Sequence, residues 1–127
     1  MKSKTVSQVY SASKSEVFDY FSKVENLPKW ATEFCKELKK VDGKYKVVTP
    51  MGELFIHFSA DKKTGVIDMF AGPTEDQMAP GPTRVVEIGD GQSVYLFTFF
   101  QAPDVSDEVF EGQYESLKKE LANAKIA

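Results

Sequence analysis

The chain has one cysteine, one histidine, one arginine and one tryptophan in 127 residues, and each shortage removes a class of function. Cys35 alone can form no intrachain disulfide, and a thiolate-based zinc site needs ligands the chain lacks. With His57 as the only histidine and no acidic cluster at metal-loop spacing, no metal site is expected. A basic excess is missing too: Lys+Arg number 16 against 19 Asp+Glu, giving a formal charge of −3. No nucleic-acid partner is therefore expected. No window approaches the roughly 18 consecutive apolar residues of a membrane span. The opening MKSKTVSQVY has no apolar run of signal-peptide length, so the expected location is cytoplasmic. No glycine-rich phosphate loop occurs, because Gly89-Asp90-Gly91 joins two strands and opens no helix. No cofactor is expected.

What the chain does have is apolar and aromatic bulk: 42% hydrophobic residues, 13% aromatics and ten phenylalanines. That composition suits one compact domain, residues 1–127, with enough aromatic area to build a core and to line a cavity. Charge is unevenly spread, with 12 basic and 8 acidic residues up to position 63 and 4 and 11 after it. Interleaved elements are expected to mix these halves in space.

The segment KTVSQVYSA alternates like a strand, and Ser13-Lys14-Ser15-Glu16 reads as a capping box. Val17, Phe18, Phe21 and Val24 give the following helix of three turns an apolar stripe, which Leu27-Pro28 ends. Pro28 suits the first position of a second helix, with Trp30, Phe34 and Leu38 at i, i+4 and i+8. From residue 39 to about 102 short strand-like runs alternate with turn chemistry at Asp42-Gly43, Pro50-Met51-Gly52, Lys62 to Gly65 and Gly89-Asp90-Gly91. The run AGPTEDQMAPGPT, residues 71 to 83, is expected to be a long loop over an opening, with Met78 as an adaptable cover. A final helix begins at Ser106 or Asp107 and carries Phe110, Tyr114, Leu117, Leu121 and Ala124 on one face. Gly112 inside it suggests close packing or a gap left for a ligand.

This order, and the segments SASKSEVFDYFSKVENLPKWA and TRVVEIGDGQSVYLFTFFQAPDVSDEVF with the terminal helix, resemble the START-like helix-grip (SRPBCC) superfamily. The second segment is similar to the Arg-Val-Val strand, Gly-Asp-Gly turn and Phe-Gln-x-Pro exit of bacterial members labelled polyketide cyclase or dehydrase. The resemblance implies an α+β fold: a curved seven-stranded antiparallel sheet around a long C-terminal helix, with two short helices between the first and second strands. It also implies a cavity between sheet and helix, closed partly by the short helices.

Registering the hairpin around Lys62 to Gly65 with Ala60 opposite Ile67 separates an apolar face from one carrying Phe55, His57, Ser59, Asp68 and Phe70. Two readings of His57 and Asp68 stay open: a general base or acid oriented by a carboxylate, or a solvated pair on the outer face. Phe55 and Phe70 share their face and join the ligand-contact candidates. Arg84 enters an otherwise apolar strand and suits a ligand carboxylate or carbonyl, or an ion pair with Asp68, Glu87 or the final helix. Trp30 and Phe34 suit either core or cavity wall, as do Phe99, Phe110 and Tyr114. Cys35 reads as a small buried hydrophobe.

Three functions compete. The first is binding of a small apolar or aromatic molecule in the cavity. The second is a cyclase or dehydratase using His57 with Asp68, or Arg84. The third is an interaction module similar to chaperone-activating members of the superfamily. A homodimer is compatible with the sequence and not argued by it.

Overall fold

The computed structural model describes residues 1–126. Strand β1 (Ser3–Tyr10) leads into α1 (Lys14–Phe21), a 3-10 turn over Val24–Asn26 and α2 (Leu27–Trp30). Six strands follow: β2 (Glu37–Val41), β3 (Lys44–Thr49), β4 (Gly52–Asp61), β5 (Val66–Thr74), β6 (Gln77–Gly89) and β7 (Gln92–Phe100). The last element is α3 (Asp107–Asn123). All neighbouring strands are antiparallel, in the order β1-β7-β6-β5-β4-β3-β2.

Local chemistry explains where the helices start. The Ser13 hydroxyl accepts from the Glu16 N–H and the Glu16 carboxylate accepts from the Ser13 N–H, a complete capping box. Ser106 caps α3 by accepting from the Val109 N–H. Helix α1 is one turn shorter than its stripe predicts, ending at Phe21. Asn26 donates its side-chain N–H to the Tyr20 carbonyl, so a carbonyl at the helix end is satisfied without another turn.

The second helix is also shorter than expected. Trp30, Phe34 and Leu38 do not share a helix, because α2 ends at Trp30 and Ala31 leaves helical geometry at φ −88°, ψ 52°. The N–H groups of Glu33 and Phe34 are instead taken by the Glu120 carboxylate of α3, and Leu38 lies opposite Val47 in the β2–β3 ladder. Tertiary partners thus outcompete a continuing helix.

Nor are residues 71–83 a loop. They form the end of β5, a tight turn with Thr74 opposite Gln77, and the start of β6. Pro80 and Pro82 are tolerated because β6 pairs with β5 alone until Thr83, where its ladder with β7 begins. Gly72 is required: a side chain there would meet the Gln77 carbonyl oxygen at 1.8 Å. Gly112 is not held by packing, since nothing lies within 4 Å of the place a Cβ would take.

The β4–β5 ladder sets Ala60 opposite Ile67 and Ser59 opposite Asp68, the register expected from the alternation. One sheet face, bearing Val6, Tyr10, Val47, Ile56, Ile67, Met69, Val85 and Tyr95, is buried against the helices and forms the core. The opposite, outer face carries His57, Asp68 and Arg84.

These glycines give a paired prediction. Gly65→Ala places a Cβ 2.3 Å from the Val85 carbonyl oxygen at φ +79°, and is expected to destabilise by at least about 2 kcal/mol. Gly112→Ala, in an open helical position, is expected to stabilise by about 0.5–1 kcal/mol. Urea unfolding of the two variants measures both.

Candidate functional site

The inner face is built around stacked aromatic rings. Phe21, fully buried at the end of α1, lies parallel to Tyr95 of β7 at 3.9 Å between centroids. The same ring meets Trp30 edge-on at 5.1 Å and Tyr10 at 5.7 Å. Trp30 and Tyr95 both approach Phe97, at 6.4 and 6.3 Å. The Leu-Pro break therefore turns the chain so that Trp30, 3% exposed, returns onto the rings α1 has laid on the sheet. Burial raises the Tyr10 and Tyr95 hydroxyls well above the ordinary phenol value. Trp30 Nε1 and the Tyr95 hydroxyl have no hydrogen-bond partner among the described residues, although Thr83, which donates to the Ile67 carbonyl, stands beside Tyr95. Buried groups of this kind cost about 1–3 kcal/mol each when left unpaired.

Around this centre the inward side chains are only half-buried. Phe34, Leu54, Phe58, Phe97, Phe99 and Tyr114 all pack on the core yet keep part of their surface open. Helix α3 rests on β1 and α2, and its Gln113 reaches Met51 in the β3–β4 turn, while Val47, Ile56, Ile67 and Met69 of β3–β5 are buried. Phe99 meets Phe110 of α3 at 5.1 Å, and Lys4 of β1 lies 4.4 Å above the Tyr114 ring and 2.9 Å from Glu111.

One carboxylate ties the segment after α2 to α3. Glu120, 4% exposed, accepts from the backbone N–H groups of Glu33 and Phe34, both at 3.0 Å. Ser116 donates to the Glu33 carboxylate at 3.2 Å. Burial raises the Glu120 pKa, the two N–H groups and Lys36 act the other way, and Glu33 adds to the rise. Cys35, buried next to this contact, is raised by its burial and by Glu120, so it is no activated thiolate.

The remaining sequence candidates are elsewhere. His57 is exposed on the outer face, its ring 6.3 Å from Phe70 and 27° from parallel. Asp68 lies between Ser59 and Pro82 on that face, and Arg84 between Val66 and Leu96. Arg84 is exposed and forms no ion pair among the described residues. Phe55 is also on the outer face, beneath the Lys46 ammonium at 4.5 Å. Met78 stands at the β5–β6 tip and shares a cleft of about 520 Å³ with Phe55, Phe58 and His57. A second hollow of about 750 Å³, between the short helices and Asn123, Lys125 and Ile126, has a mostly polar lining. The structure thus groups Trp30, Phe34, Phe99, Phe110 and Tyr114 on the helix side, and Phe55, His57, Asp68, Phe70 and Arg84 behind it.

Neither family models nor curated proteins give a match, but solved structures do. XoxI from Bacillus cereus superposes with a TM-score of 0.68 at 17% identity over 97% of each chain. Norcoclaurine synthase from Thalictrum flavum gives 0.61 at 13% identity, over 96% of this chain and 87% of its own. The di-domain ARO/CYC protein StfQ of the steffimycin biosynthetic pathway gives 0.63 at 12% identity, over 95% of this chain and 44% of its own. The chain has the START-like helix-grip fold. In this setting, Phe21, Tyr95, Phe97 and Glu120 are the inner-face residues that sequence reasoning missed. Glu120 left one signal, a charge in line with Leu117 and Leu121 on the apolar face of α3.

The raised pKa of Glu120 has a definite sign. The folded protein holds this proton more tightly than the unfolded chain, so the group's stabilising contribution is present at low pH and declines as pH rises towards the raised folded value. Glu120→Gln cannot ionise. Its unfolding free energy relative to wild type is expected to move in the variant's favour between about pH 4 and pH 7. A difference that is flat with pH, or that moves the other way, contradicts this account.

Proposed function

We propose that the protein binds a small apolar or aromatic molecule in the groove between the inner face of the sheet and α3. The observation that carries this reading is the set of inward aromatic side chains, Phe34, Phe58, Phe97, Phe99 and Tyr114, that stay half-open around a fully packed centre. Apolar walls with a few polar groups are the usual make-up of a small-molecule site. Trp30 Nε1 and the Tyr95 hydroxyl are sealed in the packed centre, so the polar group such a guest would meet is the half-buried Lys4, which lies over the Tyr114 ring. Norcoclaurine synthase and the ARO/CYC protein share the fold, which supports a ligand-holding role by analogy and assigns no reaction.

The groove reading needs none of His57, Asp68 and Arg84, which stand on the other face of the sheet. It therefore takes precedence over cyclase or dehydratase chemistry. A cytoplasmic setting fits the free, buried thiol of Cys35.

The test is a titration with 8-anilinonaphthalene-1-sulfonate, followed by its fluorescence gain at neutral pH on the folded chain. Leu54→Asp and Tyr114→Asp, both at half-buried positions, are each expected to weaken binding about tenfold or more, with circular dichroism confirming the fold. No binding by the native protein, or equal binding by both folded variants, overturns the proposal.

A further inference from the structure

The ladder between β3 and β4 stops at Tyr45 opposite Ile56, yet β4 runs on to Asp61. From His57 to Asp61, the edge of β4 on the β3 side pairs with no strand among the described residues. An open edge presents unpaired backbone N–H and C=O groups, which proteins usually guard with lysine or proline. The outermost strand β2 is guarded in that way by Lys39 and Lys40. The open stretch of β4 reads His-Phe-Ser-Ala-Asp and has neither residue.

The cleft of about 520 Å³ lies at this place, where the start of β3 parts from the middle of β4. Tyr45, Ile56, Phe58, Phe55, Val24 and Met78 give it apolar walls. Lys44 and Glu75, 2.6 Å apart, join the start of β3 to the β5–β6 tip that carries Met78. Because these two charges neutralise each other, the cleft offers no net charge to attract an ion. Its remaining polar features are the strand edge, the His57 ring, which lies against Phe70, and the Tyr45 hydroxyl, which is already engaged in donating to the Glu25 carboxylate at 2.8 Å.

We propose that this cleft, which shares Phe58 with the groove but is centred on the open edge of β4, is a second binding site, for a neutral planar heteroaromatic molecule with adjacent hydrogen-bond donor and acceptor. The donor and acceptor pair with the open backbone edge of β4, as a neighbouring strand would, and the rings occupy the apolar walls. The volume is within the range of small-molecule sites, about 300–1,000 Å³. A lactam fused to one aromatic ring is the simplest molecule with these features.

The probes are isoquinolin-1(2H)-one and its N-methyl analogue, which keeps the rings and carbonyl and lacks the donor. Each is titrated into the full 15N-labelled chain, and backbone amide shifts are followed. The lactam is expected to move the amides of Lys44, His57, Phe58, Ser59 and Met78 and leave the Trp30 indole in place. The N-methyl analogue is expected to bind about fivefold more weakly, the value of one lost hydrogen bond. Met78→Asp, at the turn-proximal end of β6, is expected to weaken the lactam by a similar factor. No binding of the lactam, equal binding of both probes to the native chain, or shifts confined to Trp30 and Tyr114 overturns the proposal. The last outcome assigns the probe to the groove, so the two sites are distinguished in one experiment.

Discussion

The parallel contact between Phe21 and Tyr95 is where helix and sheet are joined, and much of the architecture follows from it. Each aromatic contact of this kind adds about 0.5–1.5 kcal/mol beyond the area it buries. Phe21 makes four of them, with Tyr10, Tyr20, Trp30 and Tyr95. So many contacts on one ring fix the end of α1 over β7 and force the chain to turn at Leu27-Pro28 to bring Trp30 alongside. Core density is then concentrated at the β1–β7 end of the sheet. Toward the β3–β5 end Val47, Ile56, Ile67 and Met69 are still buried, while Leu54 and Phe58 stay half-open.

The legible features were the local ones. The capping box at Ser13, the four hairpin turns and the pairing of Ala60 with Ile67 are each decided by residues close in sequence, and each stands in the structure as the pattern implied. What escaped was decided by distant partners. Phe34 and Leu38 keep helical spacing, but Glu120, 86 residues beyond Phe34, captures the N–H groups a longer helix would need. The proline-rich run at 71–83 reads as loop because proline breaks central ladders. It forms strand because that part of β6 has a neighbour on one side only. The aromatic centre was half legible: Trp30 stood out as a singular residue, whereas Phe21, Tyr95 and Phe97 looked like ordinary core positions in their own segments.

Which face a residue occupies carries more functional weight here than what the residue is. His57, Asp68 and Arg84 have the chemistry of a reacting centre, and the alternation of β4 and β5 does bring His57 and Asp68 to one face. That face is turned away from the helices. The inner face holds phenols raised by burial, an indole N–H and the carboxylate of Glu120, whose oxygen is engaged with two backbone N–H groups. Phenols kept protonated are poor bases, so the polar groups of the inner face differ in chemistry from those of the outer one.

Glu120 shows how the turn after α2 is fixed to α3 by a single buried carboxylate. An apolar residue at its position would pack α3 against the turn after α2 and leave the N–H groups of Glu33 and Phe34 unsatisfied in a buried place, at about 1–3 kcal/mol each. The carboxylate satisfies both donors at the expense of its own burial, which its raised pKa records. The exchange favours a defined turn over a tighter one. Phe34 is thereby held half-buried against the core.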